Sequence, residues 1–307
     1  NEKHEIDGKY INTFSAGRPI FRTGLNYQLE KATYLRGSWG QGYRFPSMAE
    51  LFISTEIAKG IWVYPNASLK PENGWSTELG LKQGLKVGNW IGYLDLAWFL
   101  MQYDDMMEFT FAKWEEGDGL DGIGFKSVNI GETQISGVEL SISGGGKITN
   151  DITMNILAGY TYMKPISLTP DDVYITAFNG NDLTYTYSSS DASVLKYRYK
   201  HIAKIDAELI YKKLSLGGSF RYNDFMKNID AIFADEVFFS TLVPGINQAR
   251  ENGKDGDIII DTRLGYQFND MIRFGFVVNN LLNREYMSRP ANMMPPRTFA
   301  MQLALKI

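Results

Sequence analysis

"RTFAMQLALKI", residues 297–307, alternates without interruption. Phe299, Met301, Leu303, Leu305 and Ile307 fall on one side of an extended chain, and Thr298, Ala300, Gln302, Ala304 and Lys306 on the other. Successive side chains of a strand point to opposite faces, so this is a strand with one wholly apolar face. What covers that face decides the fold. The same rhythm recurs upstream. In "DITMNILAGYTY" (151–162), Ile152, Met154, Ile156, Ala158, Tyr160 and Tyr162 oppose Asp151, Thr153, Asn155, Gly159 and Thr161, with Leu157 as the exception. In "KYRYKHIAKIDAELIY" (196–211), Tyr197, Tyr199, Ala203, Ile205, Ala207, Leu209 and Tyr211 oppose Lys196, Arg198, Lys200, Lys204, Asp206 and Glu208. "DIIIDTRLGYQF" (257–268) sets Ile258, Ile260, Leu264, Tyr266 and Phe268 against Asp257, Asp261, Arg263 and Gln267.

Eleven such strands are expected, at about 17–29, 31–43, 75–86, 89–113, 122–146, 150–163, 196–211, 214–226, 255–268, 271–280 and 297–307. Their connections differ in kind. Short joins sit near Glu30, Gly88, 146–150, Lys212–Lys213 and Asn269–Asp270. Long polar stretches rich in Gly and aromatics occupy 44–74, 114–121, 164–195, 227–254 and 281–296. Short turns at one end and long loops at the other describe an antiparallel up-and-down transmembrane β-barrel. Aromatics make up 14% of the 307 residues and need a place. Trp90, Tyr211, Tyr266 and Phe268 fall near the short turns of the apolar face; Trp39, Tyr160, Tyr162, Tyr197 and Tyr199 fall near the long loops. Rings at both borders of an apolar band are what a membrane interface favours. A soluble sandwich or adhesion domain also alternates, but its strands average only about 5–6 residues. On this reading the apolar face meets lipid.

Composition narrows the function. A net charge of −4 argues against a nucleic-acid partner. There is no Cys, so thiolate metal sites and disulfides are excluded. No run reaches the roughly 18 apolar residues of a membrane helix. Of the two histidines, His4 lies in the polar start and His201 on an apolar strand face, so neither is placed as a general base and no enzyme is expected. Eleven is an odd number, whereas single-chain bacterial barrels have even counts, and an open sheet would leave two unpaired edges in hydrocarbon. The chain is therefore expected to be one part of a barrel, a single domain over 1–307.

Five stretches carry more than a generic barrel: "RGSWGQGYRFPSMAELF" (36–52), "NASLKPENGWSTELGLK" (66–82), "NIGETQISGVEL" (129–140), "NNLLNREYMSRP" (279–290) and "PPRTFAMQLALKI" (295–307). In order and spacing they resemble the C-terminal half of a TonB-dependent outer-membrane receptor, from about Arg22 onward. The resemblance implies a barrel of about 22 strands around an N-terminal plug, with the plug, the first strands and the TonB-binding segment upstream. It implies active import of a scarce nutrient across the Gram-negative outer membrane, with the bilayer, lipopolysaccharide, the TonB complex and a surface lipoprotein as partners. A passive or partner-gated outer-membrane channel or surface receptor is the alternative. The terminal Ile307 departs from the Phe or Trp that usually closes such barrels.

Within that frame Arg36, Glu78, Lys82, Asn129, Glu139, Arg198, Asp206 and Arg263 are expected to face the lumen and plug, pairing with one another as enclosed charges must. Pro46 and Pro71 mark where strands give way to a loop, and Gly131 and Gly137 allow a bulge or close backbone approach. Trp62, Tyr64, Trp114, Tyr174, Phe178, Tyr185 and Tyr187 offer flat faces on the outer loops, for a ligand or for loop-on-loop packing. The substrate class stays open among glycan, peptide, siderophore, haem and cobalamin, with a tilt toward glycan or peptide. "EVFFSTLVPGI" (236–246) is apolar for a loop and is a candidate lipoprotein contact. No cofactor is expected. Asp118 and Asp121, among glycines, are Ca²⁺ candidates without the spacing of a helix–loop–helix calcium site.

Overall fold

The fold is described from a computed structural model, which covers residues 2–6, 9–13, 19–58, 60–118, 121–234, 245–289 and 292–306. Eleven strands form one antiparallel sheet: β1 (Arg22–Glu30), β2 (Thr33–Arg44), β3 (Glu72–Val87), β4 (Asn89–Asp104), β5 (Thr133–Lys147), β6 (Ile152–Ser167), β7 (His201–Tyr211), β8 (Leu214–Asn223), β9 (Asp257–Gln267), β10 (Ile272–Asn279) and β11 (Thr298–Leu305). Each pairs with its neighbours in chain order, and β1 and β11 are the two edges. The sheet is the expected meander of eleven strands, open rather than closed on itself.

Register sorts the side chains. Phe299, Met301, Leu303 and Leu305 sit opposite Val278, Phe276, Phe274 and Ile272. The same face continues through Ile258, Ile260 and Leu264, then Leu216, Leu209, Ile156, Leu140 and Leu96, to Leu81 and Leu35. None of the described residues covers it: Phe299, Met301, Leu303 and Leu305 are 64%, 75%, 61% and 63% exposed. An apolar patch this continuous is far larger than water tolerates on a monomer. At the short-turn end the Trp90 indole lies buried over Gly92 and Gly144, where any Cβ would meet the ring.

The short joins hold as read. Gly88 (φ +62°) turns β3 into β4, and Lys212 (φ +53°) turns β7 into β8. The long strands do not. The expected strand over 89–113 breaks at Asp105 (φ +53°), and that over 122–146 breaks at Gly131 (φ +88°). The freed halves, Met107–Lys113 and Ile123–Asn129, leave the wall and form a hairpin. That hairpin joins Ile61–Tyr64 in parallel, and Ile61–Tyr64 pairs with Thr55–Ala58. The result is a second, four-stranded sheet built from two loops. Likewise β7 starts at His201, not Lys196, so Lys196, Tyr197, Arg198 and Tyr199 belong to the preceding loop. Alternation continues through the break before His201, so it gave no warning of that one, whereas across Asp105 the apolar residues pass from even positions to odd ones.

Family-type motifs turn out to be joints. Ser47 caps the helix Met48–Phe52: its hydroxyl accepts from the Glu50 amide while its own amide donates to Glu50. Arg44, the last residue of β2, pairs with the same Glu50. Asn66 donates to the Ser127 carbonyl, and Asn129 donates to the carbonyls of Lys70 and Asp105, riveting the 45–71 and 105–132 loops together. Asn280 and Asn283 both adopt left-handed backbone (φ +50° and +51°), which Asn tolerates better than most residues. Asn280 then accepts from the Arg284 amide, and Asn283 from the Arg297 amide.

Candidate functional site: the charged face and the outer loops

Opposite the apolar face lies a charged one. Arg36 donates through Nε to Glu78 (2.7 Å) and through Nη1 to both oxygens of Asp95 (2.7 and 2.9 Å), tying β2, β3 and β4 together. Arg263 makes a two-pronged contact with Asp206, 2.7 Å at each prong. Arg221 donates to Asp261 at 3.1 Å. Each of the two doubly bonded arginines lies over a glycine directly opposite it, Gly80 and Gly217, where a Cβ would collide with the guanidinium. Lys82 sits 3.8 Å over the Tyr93 ring, and Glu139 is exposed on the same face. The arginines of these pairs are each about a third open to solvent, so each pair contributes at most about 1 kcal/mol. Asp206→Asn is accordingly expected to lower stability by under about 1 kcal/mol, read as a small shift in the urea midpoint of the bilayer-embedded protein.

Two of the residues expected on this wall are elsewhere. Asn129 belongs to the loop sheet as a rivet, because the backbone leaves the wall between Asp105 and Gly131. Arg198 precedes β7 and donates to the Tyr197 carbonyl. Gly137 does meet a close approach, with the Phe99 ring and the Tyr162 carbonyl where a Cβ would stand. His201 lies on the apolar face near the outer loops and shares a 2.7 Å hydrogen bond with the Tyr160 hydroxyl.

The outer loops are a packed body in their own right. Tyr64, Trp114 and Tyr185 are buried together with Met106, Val128, Ile130, Leu183 and Leu195, and Trp62 and Tyr174 pack against them. The Trp114 indole donates to the Gly124 carbonyl. Of the seven loop aromatics, only Phe178 and Tyr187 stand mostly exposed. Tyr187 walls a cleft of about 370 Å³ with Lys113, Asn179, Asn181, Asp230 and Ile232. A larger cleft, about 810 Å³, opens between the 224–256 and 280–297 loops, lined by Tyr199, Met226, Arg250, Asp257, Arg284 and Tyr286. Asp118 and Asp121 share one turn, the Asp121 amide donating to the Asp118 carbonyl. Among the described residues no three His or acidic groups gather to hold a metal ion. The apolar 236–246 stretch falls outside the described residues except Gly245 and Ile246, as does Ile307.

Beneath the smaller cleft is a cluster that alternation had misplaced. Lys196, fully buried, donates to Asp230 (2.8 Å) and to the Phe109 carbonyl (3.0 Å), with Glu108 3.6 Å away. Tyr197 donates to the other Asp230 oxygen, and Asn228 donates to the Val194 carbonyl. One signal in the sequence pointed here: Glu108 and Lys196 are isolated charges in apolar runs, "MMEFTF" and "SVLKY".

The sequence model of the family described as TonB dependent receptor-like, beta-barrel matches residues 2–281. The chain belongs to the TonB-dependent receptors. This receptor chain is accordingly part of a β-barrel of the Gram-negative outer membrane. No curated protein matches it. Among solved structures it is similar to the ferric-catecholate import receptor Fiu of E. coli K12, with 20% identity and a TM-score of 0.59 over 92% of this chain and 34% of that one. The siderophore receptor PiuA of Acinetobacter baumannii gives 16% identity and a TM-score of 0.60, over 96% and 38%. The Serratia marcescens hemophore receptor HasR, solved with its hemophore HasA and heme, gives 17% and 0.58, over 93% and 39%. At such identities the likeness is one of fold. The chain spans between a third and two fifths of the length of these receptors.

Proposed function

We propose that the receptor containing this chain imports a scarce nutrient across the outer membrane using energy delivered by TonB. In this reading the charged face lines the lumen and contacts the plug, and the outer loops form the vestibule that first meets the ligand. The observation that carries it is the division of labour in one sheet: an uncovered apolar face, a charged opposite face, and a folded body of loops at one end only. Family membership supplies the TonB coupling.

Charge limits the ligand. The long connections (45–71, 105–132, 168–200, 224–256 and 280–297) hold 20 acidic and 13 basic residues, net −7, more negative than the whole chain at −4. Their field opposes an approaching anion and raises no barrier to a neutral solute. Tyr187 and the amides of Asn179 and Asn181 offer a ring face and hydrogen bonds, and the cleft's Lys113 donates to the Gly117 carbonyl. A neutral polar ligand, glycan or peptide, therefore fits this vestibule better than an anionic ferric chelate.

Uptake by cells expressing the intact receptor tests both parts. Uptake is expected to collapse when the proton gradient is abolished or TonB is deleted; uptake that persists would mean a passive channel. Binding of a neutral oligosaccharide or peptide to purified receptor is expected to stay constant as ionic strength rises from about 0.01 to 0.15 M, while the Debye length falls from roughly 30 to 8 Å. Tight binding of an anionic ferric catecholate at the lower ionic strength would contradict the charge argument and leave the import reading standing.

A further inference from the structure

Lys196, Glu108 and Asp230 come from three different outer connections, 168–200, 105–132 and 224–256, and meet where water does not reach. Their side chains are 0%, 8% and 1% exposed. We infer that this knot fastens the three loops over the outer mouth, and that loss of one proton from Glu108 loosens it. The inference does not depend on what the receptor carries.

The geometry sets the proton count. Two of the three ammonium protons of Lys196 are committed, to Asp230 and to the Phe109 carbonyl. Asp230 is satisfied on both oxygens, by Lys196 and by the Tyr197 hydroxyl. Both oxygens of Glu108 are buried and accept no hydrogen bond, with Lys196 the nearest cation at 3.6 Å. If both acids ionise, one positive charge faces two negative ones in a dry cluster, and the surplus is costly. If Glu108 keeps its proton, the cluster is neutral. The groups acting on Glu108 are Lys196, Arg198, Tyr185 and Tyr197 from the 168–200 connection and Asp230 from the 224–256 connection. Thr110, two residues along the same strand, is bonded to the Tyr174 hydroxyl.

Burial pushes the Glu108 carboxyl up to about 7; Lys196 pulls the other way, and Asp230 adds to the rise. An ordinary glutamate lies near 4.5. Between those values the packed cluster holds a proton that an opened loop gives up to solvent. The electrostatic penalty is therefore absent in acid, grows as pH rises, and is complete above neutrality. Loop packing should be tightest below about pH 5 and should loosen through pH 7.

Amide hydrogen exchange of the intact receptor in nanodiscs, between pH 5.5 and 8.5 and corrected for intrinsic rates, reads this directly. Protection in 105–132, 168–200 and 224–256 is expected to fall together from pH 5.5 to about 7 and level off above it, while the wall strands hold theirs. Glu108→Gln is expected to abolish the transition and keep the loops protected. Asp230→Asn, which frees Lys196 to face Glu108 alone, is expected to lower the pH at which protection levels off by a unit or more. Wild-type protection that ignores pH, or an unchanged transition in Glu108→Gln, would overturn the inference. Should Glu108→Gln fail to assemble, an unshifted levelling-off in Asp230→Asn would do the same.

Discussion

Replacing Lys196 with methionine is expected to open the outer loops at a cost of about 3–5 kcal/mol, the largest single effect in the chain. The magnitude follows from what is left behind rather than from what is lost. Methionine fills most of the lysine volume, but Asp230 then keeps its charge in a fully buried position with only the Tyr197 hydroxyl as partner. Breaking a buried pair on one side is far worse than replacing both sides. The double substitution Lys196→Met with Asp230→Asn should therefore recover most of the loss. The damage should stay local, because the knot touches loops and not the wall strands. Limited proteolysis of membrane-embedded protein would show new cuts between 105 and 256 within loops, with the barrel strands resistant. Unchanged cleavage in Lys196→Met would mean that the cluster does not hold the loops.

A paired substitution on β11 tests what covers the apolar face. Met301→Arg is expected to destabilise the bilayer-embedded protein by about 2–4 kcal/mol, because the side chain enters hydrocarbon. Gln302→Arg, one residue along, is expected to cost little, since that side shares the charged face with Gly275 opposite it and tolerates charge. Unfolding by urea from lipid vesicles would separate the two. Equal effects at both positions would mean that the 75% exposed Met301 faces neither lipid nor any other apolar medium, and the membrane assignment of the sheet would fall.

Much of the wall was legible because a barrel strand is written in short-range code. Period-two alternation in 297–307 and 257–268 places each side chain on a face before any pairing is known, and the observed register keeps those placements for 298–305 and 257–267. The turns were legible for a similar reason: glycine or paired lysines between two alternating runs leave few geometries. The loop body was not. Strand-like sequence runs on from Asn89 to Lys113, its apolar side passing from Leu96, Trp98 and Leu100 to Met107, Phe109 and Phe111, and the backbone turns at Asp105 and hands Met107–Lys113 to a second sheet. A strand pattern says which residues share a face; it does not say which sheet the strand joins.

The same limit governs the site. Arg36, Glu78, Asp206 and Arg263 were expected on one charged face and meet there in pairs, since residues on neighbouring strands with matched faces have little choice. Lys196 had the same pattern, and its burial depends on Asp230 and Glu108 arriving from loops 34 and about 90 positions away. Which aromatics remain open is likewise settled by the packing of Tyr64, Trp114 and Tyr185 into one cluster, leaving Phe178 and Tyr187 outside it. The sequence by itself determined the strand faces, the short-turn end and which side is apolar and which charged, because these follow from the nearest neighbours along the chain. The tertiary structure alone decided which charges are buried and which rings are free, because burial belongs to whatever distant segments come together around a side chain.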